Sequence, residues 1–379
     1  MPLSFPGNPG YPPGRADGNR TGQHMTTTAL VLTRYDRLGA SSRLRTMQYL
    51  PALAAAGIAA EVRPFFDDAY VEALNAGQGP GRAVPGYYLR RWRDLRAARG
   101  DLLWLEKEAF PWLPSWFERI ALPRHLPLIC DYDDAVFHRY DLHRSAVVRA
   151  MLGRKIDRLM RRAALVTAGN AYLAGRARAA GAARVEIVPT VVDAAAYDTA
   201  PLPPGDGRPR IGWIGSPGTW ETYMQPLLPM LQDMAREHGA LIRAVGTGPG
   251  PETEQLERLP WAEETESRLI QSMDIGIMPL DDSPWARGKC GYKLIQYMAC
   301  GLPVIASPVG VNREIVEDGV TGFLVTTDAE WRAALARLLA DAGLRRRMGA
   351  EGRRRMEERY SLQVWGPRVA QMLRQVAGP

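Results

Sequence analysis

Short, unbroken apolar runs recur along the chain, separated by stretches with the spacing of amphipathic helices. They fall at Leu30–Thr33, Ala60–Pro64, Leu102–Leu105, Leu128–Cys130, Leu165–Thr167 and Glu186–Val188. Further runs follow at Ile211–Ile214, Leu241–Val245, Ile275–Pro279, Val304–Ala306 and Phe323–Val325. Runs this short and continuous predict parallel strands buried on both faces, with the intervening helices as crossovers. The order predicts an α/β protein made of two βαβ arrays in series. Thr199–Arg210, rich in Pro and Gly and without periodicity, reads as the linker between them. Ser361–Val376 predicts a closing helix.

A chain of 379 residues is long enough for two domains with separate cores. Hydrophobic content of 46% and aromatic content of 8% fit a soluble globular protein, and no apolar run is long enough to span a bilayer. Residues 1–24, rich in Pro, Gly, Arg and Asn, predict a disordered tail and not a signal peptide, with the folded unit opening near Met25. Cys130, Cys290 and Cys300 are too scattered for a disulfide framework or a zinc cluster, which points to a reducing, cytoplasmic compartment. The net charge of +7 suits a polyanion such as a nucleotide-sugar, an acidic membrane surface or nucleic acid, although an Arg-rich composition gives that charge by itself.

Residues 287–325 say more than the rest. They predict a helix at 289–300, a buried strand at Pro303–Ser307, a turn at Gly310, a second helix from Asn312 and a strand at Gly322–Val325. Two helix N-termini then lie at one sheet edge, where unpaired N–H groups and the positive end of the macrodipole suit a diphosphate. Met298–Ser307 and Gly310–Val325 resemble the donor-site signature of family 4 glycosyltransferases. That resemblance implies the GT-B fold: two Rossmann-like domains facing a cleft, the nucleotide-sugar on the C-terminal one, and a last helix crossing back to the first. It divides the chain into a tail (1–24), an acceptor domain (25–198), a linker (199–210), a donor domain (211–360) and a crossing helix (361–379).

On the helix expected at 289–300, Lys289, Lys293 and Gln296 share one arc, opposite Gly291, Leu294, Ile295 and Met298. Lysines facing the cleft would neutralise a diphosphate leaving group; a solvated surface pair is the plainer reading. The resemblance also exposes departures. Family members carry two glutamates eight positions apart at this helix start, and here Gly288 and Gln296 take their places. The family's Arg and Lys are absent from Gly215–Trp220, leaving Arg287, Lys289 and Lys293 to supply positive charge. Gly215, Ser216 and Thr219 still suit a phosphate-bearing strand-end loop. Gly39–Arg45 stands where the family has a Gly-rich loop, and offers Ser42 and Arg43. The donor set is therefore Ser42, Arg43, Gly215, Ser216, Thr219, Arg287, Gly291, Tyr292 and Gln296. At the end of the Leu128–Cys130 run, Asp131-Tyr-Asp-Asp134 clusters carboxylates, with Asp133 or Asp134 where the family has a histidine. Either could orient or deprotonate an acceptor hydroxyl, with Mg²⁺ binding as the alternative.

The function expected from the resemblance is retaining transfer of a sugar from a nucleotide diphosphate to a hydroxyl acceptor, Asp133, Asp134, Lys289 and Lys293 being catalytic. It implies no metal, no cofactor and no nucleic acid, in polysaccharide, lipopolysaccharide or glycolipid assembly. A sugar-nucleotide epimerase and a non-catalytic nucleotide- or glycan-binding relative are the rivals. Two basic stretches, Met151–Arg162 and Tyr87–Arg96, suit peripheral contact with an anionic membrane carrying a lipid-linked acceptor.

Overall fold

The computed structural model describes residues 27–75, 77, 81, 83–197 and 206–378. The expected tail at 1–24 and most of the expected linker, 199–205, lie outside the described residues.

Two six-stranded sheets organise the chain. The first contains β1 (Thr27–Tyr35), β2 (Ile58–Phe66), β3 (Leu102–Glu106), β4 (Leu128–Tyr132), β5 (Leu165–Ala168) and β6 (Val185–Ile187), in the order β2-β1-β3-β4-β5-β6. The second contains β7 (Arg210–Ile214), β8 (Leu241–Val245), β9 (Leu256–Leu259), β10 (Ile275–Met278), β11 (Val304–Ala306) and β12 (Gly322–Leu324), in the order β12-β11-β10-β7-β8-β9. Every pairing is parallel. The apolar runs mark all of these strands except β9. Its sequence, Leu-Glu-Arg-Leu, holds no apolar run because it lies at the sheet edge, where only Leu256 is fully buried.

Alternation within a strand decides which core each side chain enters. Leu103 and Leu105 of β3 join the cluster under the helices Val84–Arg96 and Ser115–Ala121, while Leu102 and Trp104 point to the opposite face. That second face is covered by the last helix, Leu362–Ala377, whose start is capped by Ser361. Its Val369, Ala370 and Leu373 are buried among Ala29, Val31, Leu53 and Trp104 of the first sheet's domain. The chain returns at a tied crossing, where Val192 N donates to Tyr360 O and Leu362 N to Val192 O.

Strand order reverses between β1 and β3 in one sheet and between β7 and β10 in the other. Such reversals open crevices beyond the strands' C-terminal ends. The two crevices face each other.

Two expected helices differ. The helix expected at 289–300 runs only Tyr292–Ala299, because Gly291 at its N-cap takes a left-handed backbone (φ 66°). Lys289 therefore precedes it. Met151–Arg162 is two helices, Ala146–Leu152 and Lys155–Arg162, separated at Gly153–Arg154. Lys155 is fully buried between Glu108 and Glu118, so this stretch has no continuous basic face.

Candidate active site in the interdomain cleft

The wall contributed by the first sheet is built around Lys107. It follows β3 in a left-handed backbone conformation (φ 62°), a strain of about 1–3 kcal/mol for a residue with a side chain. The neighbouring segment holds it there. Glu108 is buried and bound by Arg34 at 3.0 Å, Lys155 at 2.8 Å and the Tyr140 hydroxyl. Glu118 accepts from the Ala109 and Phe110 amides. From this anchor Lys107 Nζ donates to Ser41 Oγ (2.9 Å) and pairs with Asp133 Oδ1 at 3.1 Å, with Glu106 at 3.6 Å and Asp134 at 3.9 Å.

Those contacts separate the two aspartates electrically. Burial would raise Asp133, but Lys107 and Arg45 outweigh it and hold its carboxyl below the usual range. Burial and the Asp133 charge push Asp134 up, against Lys107 and Lys289. Asp131 takes no part: Arg45 grips both of its oxygens (2.9 and 2.7 Å) and Thr167 donates to it. The three carboxylates thus form no common donor set for Mg²⁺. Among the described residues no group of three His, Cys, Asp or Glu could hold a metal ion.

The opposite wall comes from the β7/β10 crevice. Gly215, Ser216 and Thr219 line the loop after β7. The Ser216 amide donates to Thr219 Oγ1, closing the loop on itself as a helix cap. A π-helical turn, Trp220–Met224, follows and presents Tyr223. Lys289 Nζ lies 5.7 Å from the centre of the Tyr223 ring, and Lys293 Nζ 5.7 Å from that of Trp213. Burial, with Lys289 adding repulsion, pushes Lys293 down to about 7. Burial pushes Tyr223 up to about 12, with Asp281 and Asp134 adding to it. Asp134, Tyr223, Lys289 and Lys293 therefore share one electrostatic neighbourhood drawn from both domains.

The walls interlock below this group. Asn170 Nδ2 donates to Lys289 O (2.9 Å) and Arg287 O (3.3 Å). Cys290 Sγ donates to Asp133 O at 3.0 Å and lies within the first domain's core cluster. Gly288 meets Ala135 so closely that a β-carbon on it would stand 2.5 Å from the alanine's. A glutamate has no room there, which accounts physically for one of the two departures from the family pattern. Higher on the cleft, Arg37 pairs with Glu263 at 2.7 Å, and the Arg43 guanidinium lies 5.3 Å from the Trp261 ring centre.

The sequence-derived residues divide accordingly. Asp133, Asp134, Lys289 and Lys293 come together, and Gly215 lies against Trp213 under Lys293 with Ser216 and Thr219 in the same loop. Arg43 reaches Trp261 and Glu263 of the second domain, whereas Gly291 is buried against Val311, Asn312 and Ile315 of its own domain. Ser42 does not reach it: fully buried, it donates to Glu106 Oε2 at 2.6 Å and accepts from the Tyr35 amide. Gln296 is also buried, its amide committed to Glu266 (2.7 Å) and Tyr197 (3.0 Å). It does not share an arc with Lys289 because Gly291 breaks the helix between them. Tyr292 faces Tyr197, hydroxyl to hydroxyl at 3.5 Å. Arg287 is exposed and paired with Asp282 outside the lysine group. Lys107, Tyr223 and Asn170 were not singled out in the sequence. The charged triplet Glu106-Lys107-Glu108 at a strand's C-terminal end was the available signal.

Two parallel sheets facing across a cleft, each opening its switch-point crevice toward the other, define the GT-B class. The same fold is seen in the sucrose-phosphate synthase of Thermosynechococcus elongatus, 15% identical, with a TM-score of 0.67 over 92% of this chain and 99% of that one. It is seen again in Anabaena HepE crystallised with UDP-glucose, 17% identical, with a TM-score of 0.67 over 92% and 99% of the two chains. More particularly, residues 208–341, most of the second domain, match the family model described as glycosyl transferases group 1. A D-inositol 3-phosphate glycosyltransferase of Salinispora tropica is 38% identical over 91 residues, 21% of this chain and 19% of that relative. Such curated relatives are thus matched over about a fifth of their own length.

Proposed function

We propose that the protein transfers a sugar from a nucleotide diphosphate donor to a hydroxyl acceptor across this cleft. The observation that carries the reading is the meeting of Lys289 and Lys293 with Asp133, Asp134 and Lys107 between the two switch-point crevices. Lys289, Lys293 and the N-terminus of Tyr292–Ala299 stabilise negative charge on the departing diphosphate. Gly215, Ser216 and Thr219 border the phosphates. Asp134, the more readily protonated of the pair, receives or orients the acceptor hydroxyl, and Lys107 fixes its partner Asp133 as a carboxylate. Transfer proceeds with retention and without metal, in assembly of a polysaccharide, lipopolysaccharide or glycolipid in the cytoplasm. The UDP-glucose in the crystallised HepE favours a uridine diphosphate sugar as the first donor to try.

A thermal-shift series with UDP-, GDP-, ADP- and TDP-sugars tests the reading, since a ligand of the native state raises Tm. One donor class should raise Tm and be consumed when an acceptor is supplied. Absence of a shift with all four removes the transferase reading. The absence of both family glutamates, with Gln296 turned away to Glu266, favours a non-catalytic relative as the second reading. A Tm shift without turnover would select it, and turnover without acceptor would select an epimerase.

A further inference from the structure

The helix Ala146–Leu152 carries almost nothing polar, yet most of it is uncovered. Its inner residues, Val148 and Leu152, pack on the first domain's core. Its outer face is Ala146, Val147, Ala150 and Met151, with Val147 66% and Met151 56% exposed. A surface helix ordinarily turns polar residues outward. Apolar exposure continues beyond it. Leu142, just upstream, is 59% exposed, and Trp112 is 46% exposed with its ring against Tyr140 and His143. Trp112 is held outward by a left-handed backbone (φ 63°), a costly conformation for a bulky residue.

The net charge around this patch is positive. Arg144, Arg149 and Arg154 are exposed along it. The acids within 139–162 are Asp141 and Asp157, and Arg176 pairs with both. An apolar ridge fringed by unneutralised arginines complements a surface that is anionic outside and hydrocarbon beneath.

We propose that Ala146–Leu152, with Leu142 and Trp112, seats in the headgroup layer of an anionic bilayer, the flanking arginines lying on lipid phosphates. The surface shares only the start of the expected basic stretch Met151–Arg162, since Lys155 is spent in the core. It deepens the transferase reading by making the acceptor one presented at a membrane: the chain from Asp133 and Asp134 runs through His138–Asp141 directly into this helix. The binding itself does not depend on that reading.

Co-sedimentation of the full chain with phosphatidylcholine vesicles, with and without phosphatidylglycerol, tests it. The protein should pellet with the anionic vesicles only, and added salt should release it. Val147→Asp with Met151→Asp should lower partitioning on the order of tenfold, and Arg144→Ala or Arg154→Ala about fivefold each. Circular dichroism melting should be unchanged in these exposed variants, which excludes misfolding as the cause. The donor-induced Tm shift should persist in the double variant, which separates failure of docking from failure of the transferase site. Wild-type protein that stays in the supernatant, or a double variant that pellets like wild type, overturns the proposal. Dimerisation abolished by the same pair of substitutions, with no vesicle binding, would assign the face to a second copy and overturn it equally.

Discussion

Lys293 holds its proton loosely because it is partly buried over Trp213 and close to Lys289. With its folded value near 7 and an unfolded lysine near about 10.4, the unfolded chain binds a proton that the native state gives up between them. The destabilisation is therefore fully present below pH 7 and fades as pH rises toward 10. Lys293→Met should raise Tm most at pH 6 and least near pH 10, measured by circular dichroism at both; a constant difference would contradict the buried cation. A diphosphate beside this amine raises its pKa, so donor binding should take up a proton. Affinity should then weaken above pH 7 by at most about tenfold per unit. Calorimetry in buffers of differing ionisation enthalpy would register that uptake, and its absence would place Lys293 away from the phosphates. Asp134→Asn should leave the donor-induced Tm shift intact while transfer falls. Equal loss of both would mean that the aspartate supports the donor site instead.

Elements were easier to read than the side chains they present. Apolar runs such as Leu102–Leu105 announce buried strands because both faces of a parallel sheet need hydrophobic residues, whereas β9, half covered at an edge, has no such run. The sequence pattern placed the helix but set its start at Lys289 instead of Tyr292. Gly291 looked like one member of a packing face, yet its left-handed backbone detaches Lys289 from the helix and turns Gln296 into a buried network. Ser42 had the right chemistry for a phosphate, and only the long-range contact with Glu106 shows it spent. Lys107 was hidden for the reverse reason, since its partners Ser41 and Asp133 are distant in sequence. The packing at Gly288 gives a direct test. Gly288→Glu restores the family residue but drives a side chain into Ala135, which should cost about 1–3 kcal/mol and weaken donor binding. Improved activity at unchanged Tm would show that the interlock yields readily.

At the scale of the whole molecule, the two domains are coupled by the returning helix and by the interlock beneath the cleft. Leu373 lies near the end of the chain but inside the first domain's core, so Leu373→Ala should cost about 2–5 kcal/mol. Hydrogen exchange should show the loss of protection in β1 and β3 and spare the second sheet. Protection lost mainly in the second sheet would mean that the helix belongs to that domain.

The interlock also provides a chemical gauge of how often the lobes separate. Cys130 belongs to the interior of a strand, but Cys290 is shielded by the meeting of the lobes, its sulfur against Asp133 and Gly169. An alkylating reagent should reach Cys290 at the rate of lobe opening, long before global unfolding exposes Cys130. A ligand that bridges the cleft would slow that clock, and one that props it apart would hasten it.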